Sequence, residues 1–191
     1  MALEQLRKRW EAMASPLVMG LGRTNPAFLT WLALPVGIAA SLLVLFAPKS
    51  DTGALMLMGS ALLIGFSMIL DGLDGQLARQ TGQVSRWGDY LDHTLDRLLD
   101  AMWVIAIASS PAWVDDPALG WAAAWFTILG SYMGTQAQAV SGGRNYKGFS
   151  RADRTILTIA ALAVTGIFWL IGVQDYSAMP GVFEHLELNP L

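Results

Sequence analysis

The sequence predicts an all-α fold: a polytopic membrane helix bundle preceded by an amphipathic helix lying in the membrane interface. Three observations predict it. Hydrophobic residues make up 54% of the 191 and charged residues 14%, with a mean hydropathy of +0.45, outside the usual balance of a soluble domain. The apolar residues gather into stretches of about 20, the length that crosses a ~30 Å hydrocarbon core. Lys and Arg collect in alternate connections, the asymmetry that orients membrane helices.

The elements follow in order. Leu6, Trp10, Met13 and Leu17 recur at helical spacing beside Arg7, Lys8 and Arg9, so residues 1–24 read as the interfacial helix. The polar, charged start makes a cleavable signal peptide unexpected. Candidate spans lie at about 26–47, 53–80, 84–109, 118–141 and 152–173, forming a transmembrane bundle over 26–173 within a single membrane domain of residues 1–191. Residues 174–191 include Pro180, Gly181, Glu184, His185, Glu187 and Pro190, too polar to cross, and read as a tail. No internal repeat or second domain is visible in residues 1–191, and the glycine-rich 141–148 reads as a loop.

Arg7, Lys8, Arg9 and Arg23 precede the first span, Arg79 and Arg86 flank the turn between the second and third, and Arg144, Lys147, Arg151 and Arg154 separate the fourth and fifth. All three places fall on one side, which should therefore be cytoplasmic in the cell membrane. The other side carries Lys49 among Asp51, Asp115, Asp116, Asp175, Glu184 and Glu187. A net charge of −3 gives no nucleic-acid signature, and the absence of cysteine excludes disulfides and thiolate chemistry.

Against this apolar background stand Asp71, Asp74, Asp92 and Asp96, with Asp89 and Asp100 nearby. A carboxylate at membrane depth costs at least ~2.5 kcal/mol, so such a cluster needs a compensating partner. At ~100° per residue, Asp71, Asp74 and Ala78 share one helical stripe, with Gly75 and Arg79 beside it. Asp89, Asp92, Asp96 and Asp100 share a stripe on the next helix, and a short turn lets the two acidic faces meet. Oxygen-only donors suit Mg²⁺ or Mn²⁺ rather than zinc. Two ions bridged by carboxylates could clamp a diphosphate. Gly75, Ala78 and Gly88 remove bulk beside the acids, so a ligand can approach the backbone, and Arg79 can fork onto a phosphate. Gly65 and Gly134 read instead as helix-packing glycines. His93 lies roughly 100° off the acidic stripe and is expected not to be a ligand.

These residues spell Asp71-x2-Asp74-Gly75-x2-Ala78-Arg79-x8-Gly88-x3-Asp92-x3-Asp96. The pattern resembles that of the CDP-alcohol phosphotransferases. The resemblance implies a six-span homodimeric membrane enzyme, so a sixth span is expected to be missing from this sequence. It implies transfer of a substituted phosphate from a CDP-linked lipid to an alcohol, releasing CMP. It makes Asp71, Asp74, Asp92 and Asp96 ligands of two metal ions and Asp96 the general base. Asp74, Gly75, Ala78, Arg79 and Gly88 would hold the cytidine nucleotide. The entry Thr24-Asn25-Pro26 is similar to a short element preceding the motif in the family. Asp89 and Asp100 lie outside the pattern: Asp89 reads as a solvated turn acid and Asp100 as a partner of Arg97.

The acceptor is expected among the basic residues Arg144, Lys147, Arg151 and Arg154, which follow Gln136 and Gln138. Cations among glycines suit a phosphorylated acceptor. Arg151 and Arg154 resemble the basic pair of the family's inositol-phosphate branch, while Thr135–Val140 looks closer to archaeal members, whose donor would be CDP-archaeol rather than CDP-diacylglycerol. Inositol phosphate is the expected acceptor and glycerol phosphate its nearest competitor. An intramembrane prenyltransferase and a divalent-cation transporter are the alternatives from other classes, since both use buried acids.

Overall fold

The computed structural model describes residues 12–22, 24–142 and 151–173. Among these residues the regular elements are all helices, the arrangement that satisfies backbone N–H and C=O groups within one segment in an apolar solvent. Helix α1 covers 12–20. It is followed by α2 (Pro26–Leu45), α3 (Asp51–Thr81), α4 (Arg86–Ser109), α5 (Pro117–Ser141) and α6 (Arg151–Leu170). Helices α2 to α6 match the five expected spans to within a few residues at each end. By length and composition α2, α3 and α6 can each cross a membrane. Helices α4 and α5, of 24 and 25 residues, are of spanning length. The first half of α4 is charged, however, and the last part of α5 is polar, which lowers their hydropathy.

Helices α2 to α5 each begin on a side chain that satisfies an orphan backbone N–H. Asn25 accepts from Ala27, with Pro26 in the first turn where its missing N–H costs nothing. Ser50 accepts from Gly53, Ser85 from Gly88, and Asp116 from Leu119. Helix α3 ends on Gly82 at φ 69°, a left-handed position that suits glycine. Only 82–85 then separate α3 from α4, which brings the two acidic helix ends to the same end of the bundle.

Helix α2 packs against both α3 and α4, α6 packs against α3, and α5 packs against α4. The common neighbour α2 thus props the two acidic helices. Small residues permit these contacts. The Gly37 carbonyl accepts from Trp103 Nε1 at 3.1 Å, and a Cβ at Gly37 would lie 2.5 Å from Leu99 Cδ2. Ser60 Oγ donates to the Ala40 carbonyl at 2.9 Å and Ser67 Oγ to that of Ala33 at 3.3 Å, joining α3 to α2. Leu57, Ile64, Leu162 and Trp169 fill the core between α3 and α6.

The two glycines expected at packing contacts differ. A Cβ on Gly65 would meet Ile159 at an ordinary 3.9 Å, whereas Gly134 faces open space within this chain. Tight helix contacts are at Gly37 against Leu99, Gly120 against Ile105 and Ala108, and Gly166 against Ala54 and Met58, where a neighbouring helix passes close to the backbone. Helix α1 packs Ala14 and Val18 on Leu29, Ala33, Leu70, Leu73 and Leu77, while Met13 and Leu17 point outward, as an interfacial helix requires. Leu6, Trp10 and the tail at 174–191 lie outside the described residues.

A Cβ on Gly166 would lie 2.9 Å from the Ala54 carbonyl oxygen and 2.7 Å from Met58 Cγ. Gly166→Val is therefore expected to cost about 1–3 kcal/mol by overpacking the α3–α6 contact. Thermal unfolding in detergent should show a lowered midpoint for this variant and none for Gly130→Ala, whose new methyl meets open space.

Candidate active site

The last turns of α3, the first turns of α4 and the start of α2 enclose a cavity of about 440 Å³. Its lining includes every residue expected at a nucleotide: Asp74, Gly75, Ala78, Arg79 and Gly88. Asn25, Thr30, Trp87, Asp89 and Asp92 complete the wall. The bare Cα of Gly75 leaves room for the guanidinium of Arg79, since a Cβ there would stand 3.3 Å from Arg79 Nη1. A Cβ on Gly88 would stand 3.2 Å from Ser85 Oγ, the oxygen that caps α4.

Asp74 is buried, and Thr30 Oγ1 on α2 donates to its Oδ2 at 2.5 Å. A buried carboxylate demands such a donor. The Asp71 carboxylate adjoins those of Asp92 and Asp96 across the α3–α4 gap. Nearby carboxylates repel one another strongly where water is scarce. In this cluster the compensating cation is Arg151, whose Nη1 lies 3.1 Å from Asp71 Oδ2 and whose Nη2 lies 2.7 Å from Asp96 Oδ1.

Among the described residues Arg151 is the cation in contact with Asp71 and Asp96, and Asp71, Asp74, Asp92 and Asp96 together gather hard oxygen donors. That donor chemistry fits a divalent cation of the Mg²⁺ or Mn²⁺ kind. Asp92, His93 and Asp96 present ligand atoms within 4.8 Å of one another, so His93, expected off the acidic stripe, stands beside the cluster. It also lies 3.7 Å from Asp89 and 3.9 Å from Asp92. Asp89 is largely exposed, as a turn acid should be.

A second cavity, of about 1010 Å³, opens on the other flank of α4, between it and α5. Arg151, Arg154, Arg97 and Asp96 line it, facing Ser131, Thr135, Gln136 and Gln138. Asp89 borders both cavities, Asp92 the first and Asp96 the second. Helix α4 is thus the partition between them, and its acidic stripe is reached from either side. Arg144 and Lys147, expected with Arg151 and Arg154, lie outside the described residues.

Two contacts were beyond the reach of the motif. Thr30 sits one turn after the capped Asn25-Pro26 entry, and only the fold brings it to Asp74. Asp100 was expected to pair with Arg97, which does lie 4.0 Å away. Its closer partners are Arg151 Nε at 3.1 Å and Arg154 Nη2 at 3.4 Å.

An acidic, arginine-buttressed cleft bordered by two cavities at one end of a membrane helix bundle has the oxygen donors and cations that handling a phosphate group requires. The chain belongs to the CDP-alcohol phosphatidyltransferase family, which it matches over residues 23–182. It is similar to a phosphatidylinositol phosphate synthase of Cutibacterium acnes, with 29% identity over 86% of this chain and 79% of that protein. It is also similar to archaetidylinositol phosphate synthases of Pyrococcus horikoshii and Aeropyrum pernix. The first is 42% identical over 39% of this chain and 36% of the relative. The second is 38% identical over 52% and 48% respectively. The protein is accordingly a multi-pass membrane enzyme whose family joins a CDP-linked donor to an alcohol.

Proposed function

We propose that the enzyme transfers the lipid phosphate of CDP-diacylglycerol or CDP-archaeol to a hydroxyl of inositol phosphate, releasing CMP. The observation that carries this reading is the arginine pair Arg151 and Arg154 beside Asp96 in the second cavity. A neutral acceptor such as serine would give that pair no anion to bind. The facing hydroxyl and amide groups of Ser131, Thr135, Gln136 and Gln138 suit the ring hydroxyls of a polyol better than the short chain of glycerol phosphate. The names of the bacterial and archaeal relatives agree with this choice. The compact acidic motif with its Ala78-Arg79 step, within this family, argues against both a prenyltransferase and a cation transporter.

In this mechanism the cytidine diphosphate group occupies the first cavity, with Arg79 forked onto a phosphate and Gly75, Ala78 and Gly88 allowing close approach. The acceptor phosphate occupies the second cavity on Arg151 and Arg154, which brings an acceptor hydroxyl next to Asp96. Asp96 takes the hydroxyl proton as the oxygen attacks the lipid-bearing phosphorus. The bond from that phosphorus to the bridging oxygen breaks, and CMP leaves with the electron pair. Asp71, Asp74, Asp92 and Asp96 would hold two divalent ions. What the ions supply when bound is neutralisation of pyrophosphate charge and stabilisation of the leaving oxygen. This end of the bundle faces the cytoplasm, and residues 1–191 form a single catalytic domain with 26–173 as its transmembrane bundle.

Two outcomes are expected. Mg²⁺ or Mn²⁺ should raise the thermal midpoint of the purified protein, by roughly 2–4 °C per kcal/mol of binding linkage. Asp71→Asn should weaken that response; an unchanged response removes Asp71 from the ligand set. Arg154→Ala should raise the KM for inositol phosphate about tenfold, the usual scale of a lost charge-assisted hydrogen bond, while sparing the KM for CDP-lipid. An Arg154→Ala enzyme with parental acceptor KM contradicts the pocket assignment.

A further inference from the structure

Asp100 lies one helical turn deeper than Asp96, outside the signature of the family. Its side chain is only 6% exposed, and it lines neither cavity. A carboxylate so placed gains nothing from water and touches no ligand in either space. Yet it gathers three of the cations that border the second cavity. Its Oδ1 accepts from Arg151 Nε at 3.1 Å, its Oδ2 from Arg154 Nη2 at 3.4 Å, and Arg97 Nη1 stands 4.0 Å away.

The pattern at Arg151 is specific. Its three donor positions are divided among three carboxylates: Nε to Asp100, Nη1 to Asp71 and Nη2 to Asp96. Asp71 and Asp96 belong to the acidic cluster, and Asp96 borders the second cavity. Asp100 instead holds the nitrogen nearest the stem, so the guanidinium can exchange its terminal contacts for other oxygens while remaining pinned. A guanidinium's fork binds phosphate well only when its plane is already fixed.

We propose that Asp100 is a positioning residue for acceptor binding: it orients Arg151 and Arg154 toward an anionic phosphate in the second cavity and does not itself touch substrate. This rests on the acceptor reading given above. The competing account is that Asp100 only ties α6 to α4. The two differ in what they make sensitive, because a structural tie would affect both substrates and fold stability together.

The experiment is steady-state kinetics on the full chain in detergent, with CDP-lipid and inositol phosphate varied in turn. Parent, Asp100→Asn, Asp100→Glu and Arg154→Ala are compared, and inorganic phosphate is titrated as a competitor of the acceptor. Asp100→Asn is expected to raise the acceptor KM about tenfold or more, the scale of losing one partner of a buried charge pair. It should weaken inhibition by phosphate in parallel, leave the KM for CDP-lipid near its parental value, and be partly rescued by Asp100→Glu. An acceptor KM unchanged in Asp100→Asn, while Arg154→Ala raises it, overturns the positioning role alone. If Arg154→Ala is also silent, the phosphate pocket itself falls. Equal rises in both KM values with a lowered unfolding midpoint establish the structural tie and overturn the proposal. Should Asp100→Asn not fold, Asp100→Glu decides by the same split between the two KM values.

Discussion

The structure depends on the concentration of negative charge at one end of the bundle. Asp71, Asp92 and Asp96 adjoin one another where water is limited, and among the described residues Arg151 pairs with Asp71 and Asp96. Such a cluster is tolerable only if its helices are held in place from elsewhere, since its own charges push them apart. Helix α2 provides that hold: it packs on both α3 and α4, and Thr30 donates to Asp74. The apolar contacts deeper in the bundle, among them Gly37 under Trp103 and Gly166 against α3, keep the acidic ends facing each other.

The same arrangement divides the work between two spaces. Helix α4 presents Asp92 to one cavity and Asp96 to the other; four residues apart, they share one stripe that both cavities border. A donor held on one flank and an acceptor on the other would meet at that shared stripe. Arg151 connects the two, touching the acidic cluster with its terminal nitrogens and bordering the second cavity. The first cavity contains the signature residues Asp74, Gly75, Ala78, Arg79, Gly88 and Asp92, whereas the second adds residues of α5 and α6 to those of α4.

Much of this was legible in the sequence. Span lengths and hydropathy gave α2 to α6, and the motif residues Asp74, Gly75, Ala78, Arg79 and Gly88 line a single cavity, because both are local properties of one helix or of a short turn. What was not legible involves distant partners. Thr30 and Asp74 are 44 positions apart, and Asp100 and Arg151 are 51 apart; no periodicity encodes such a pair. Arg97, only three residues from Asp100, was the partner that local spacing could suggest, and it is the more distant one. Gly134 failed as a packing glycine for a related reason: whether a small residue meets a neighbouring helix depends on where the neighbour crosses.

The central claim is that the cavity bordered by Arg151 and Arg154 receives a phosphorylated polyol. It is tested most directly by measuring CMP release from one fixed CDP-lipid while inositol phosphate, glycerol phosphate, free inositol and serine are offered in turn. Release that is strongest with inositol phosphate, weaker with glycerol phosphate and lost with the two acceptors lacking phosphate is the predicted result. Equal or faster release with serine or free inositol would contradict the account.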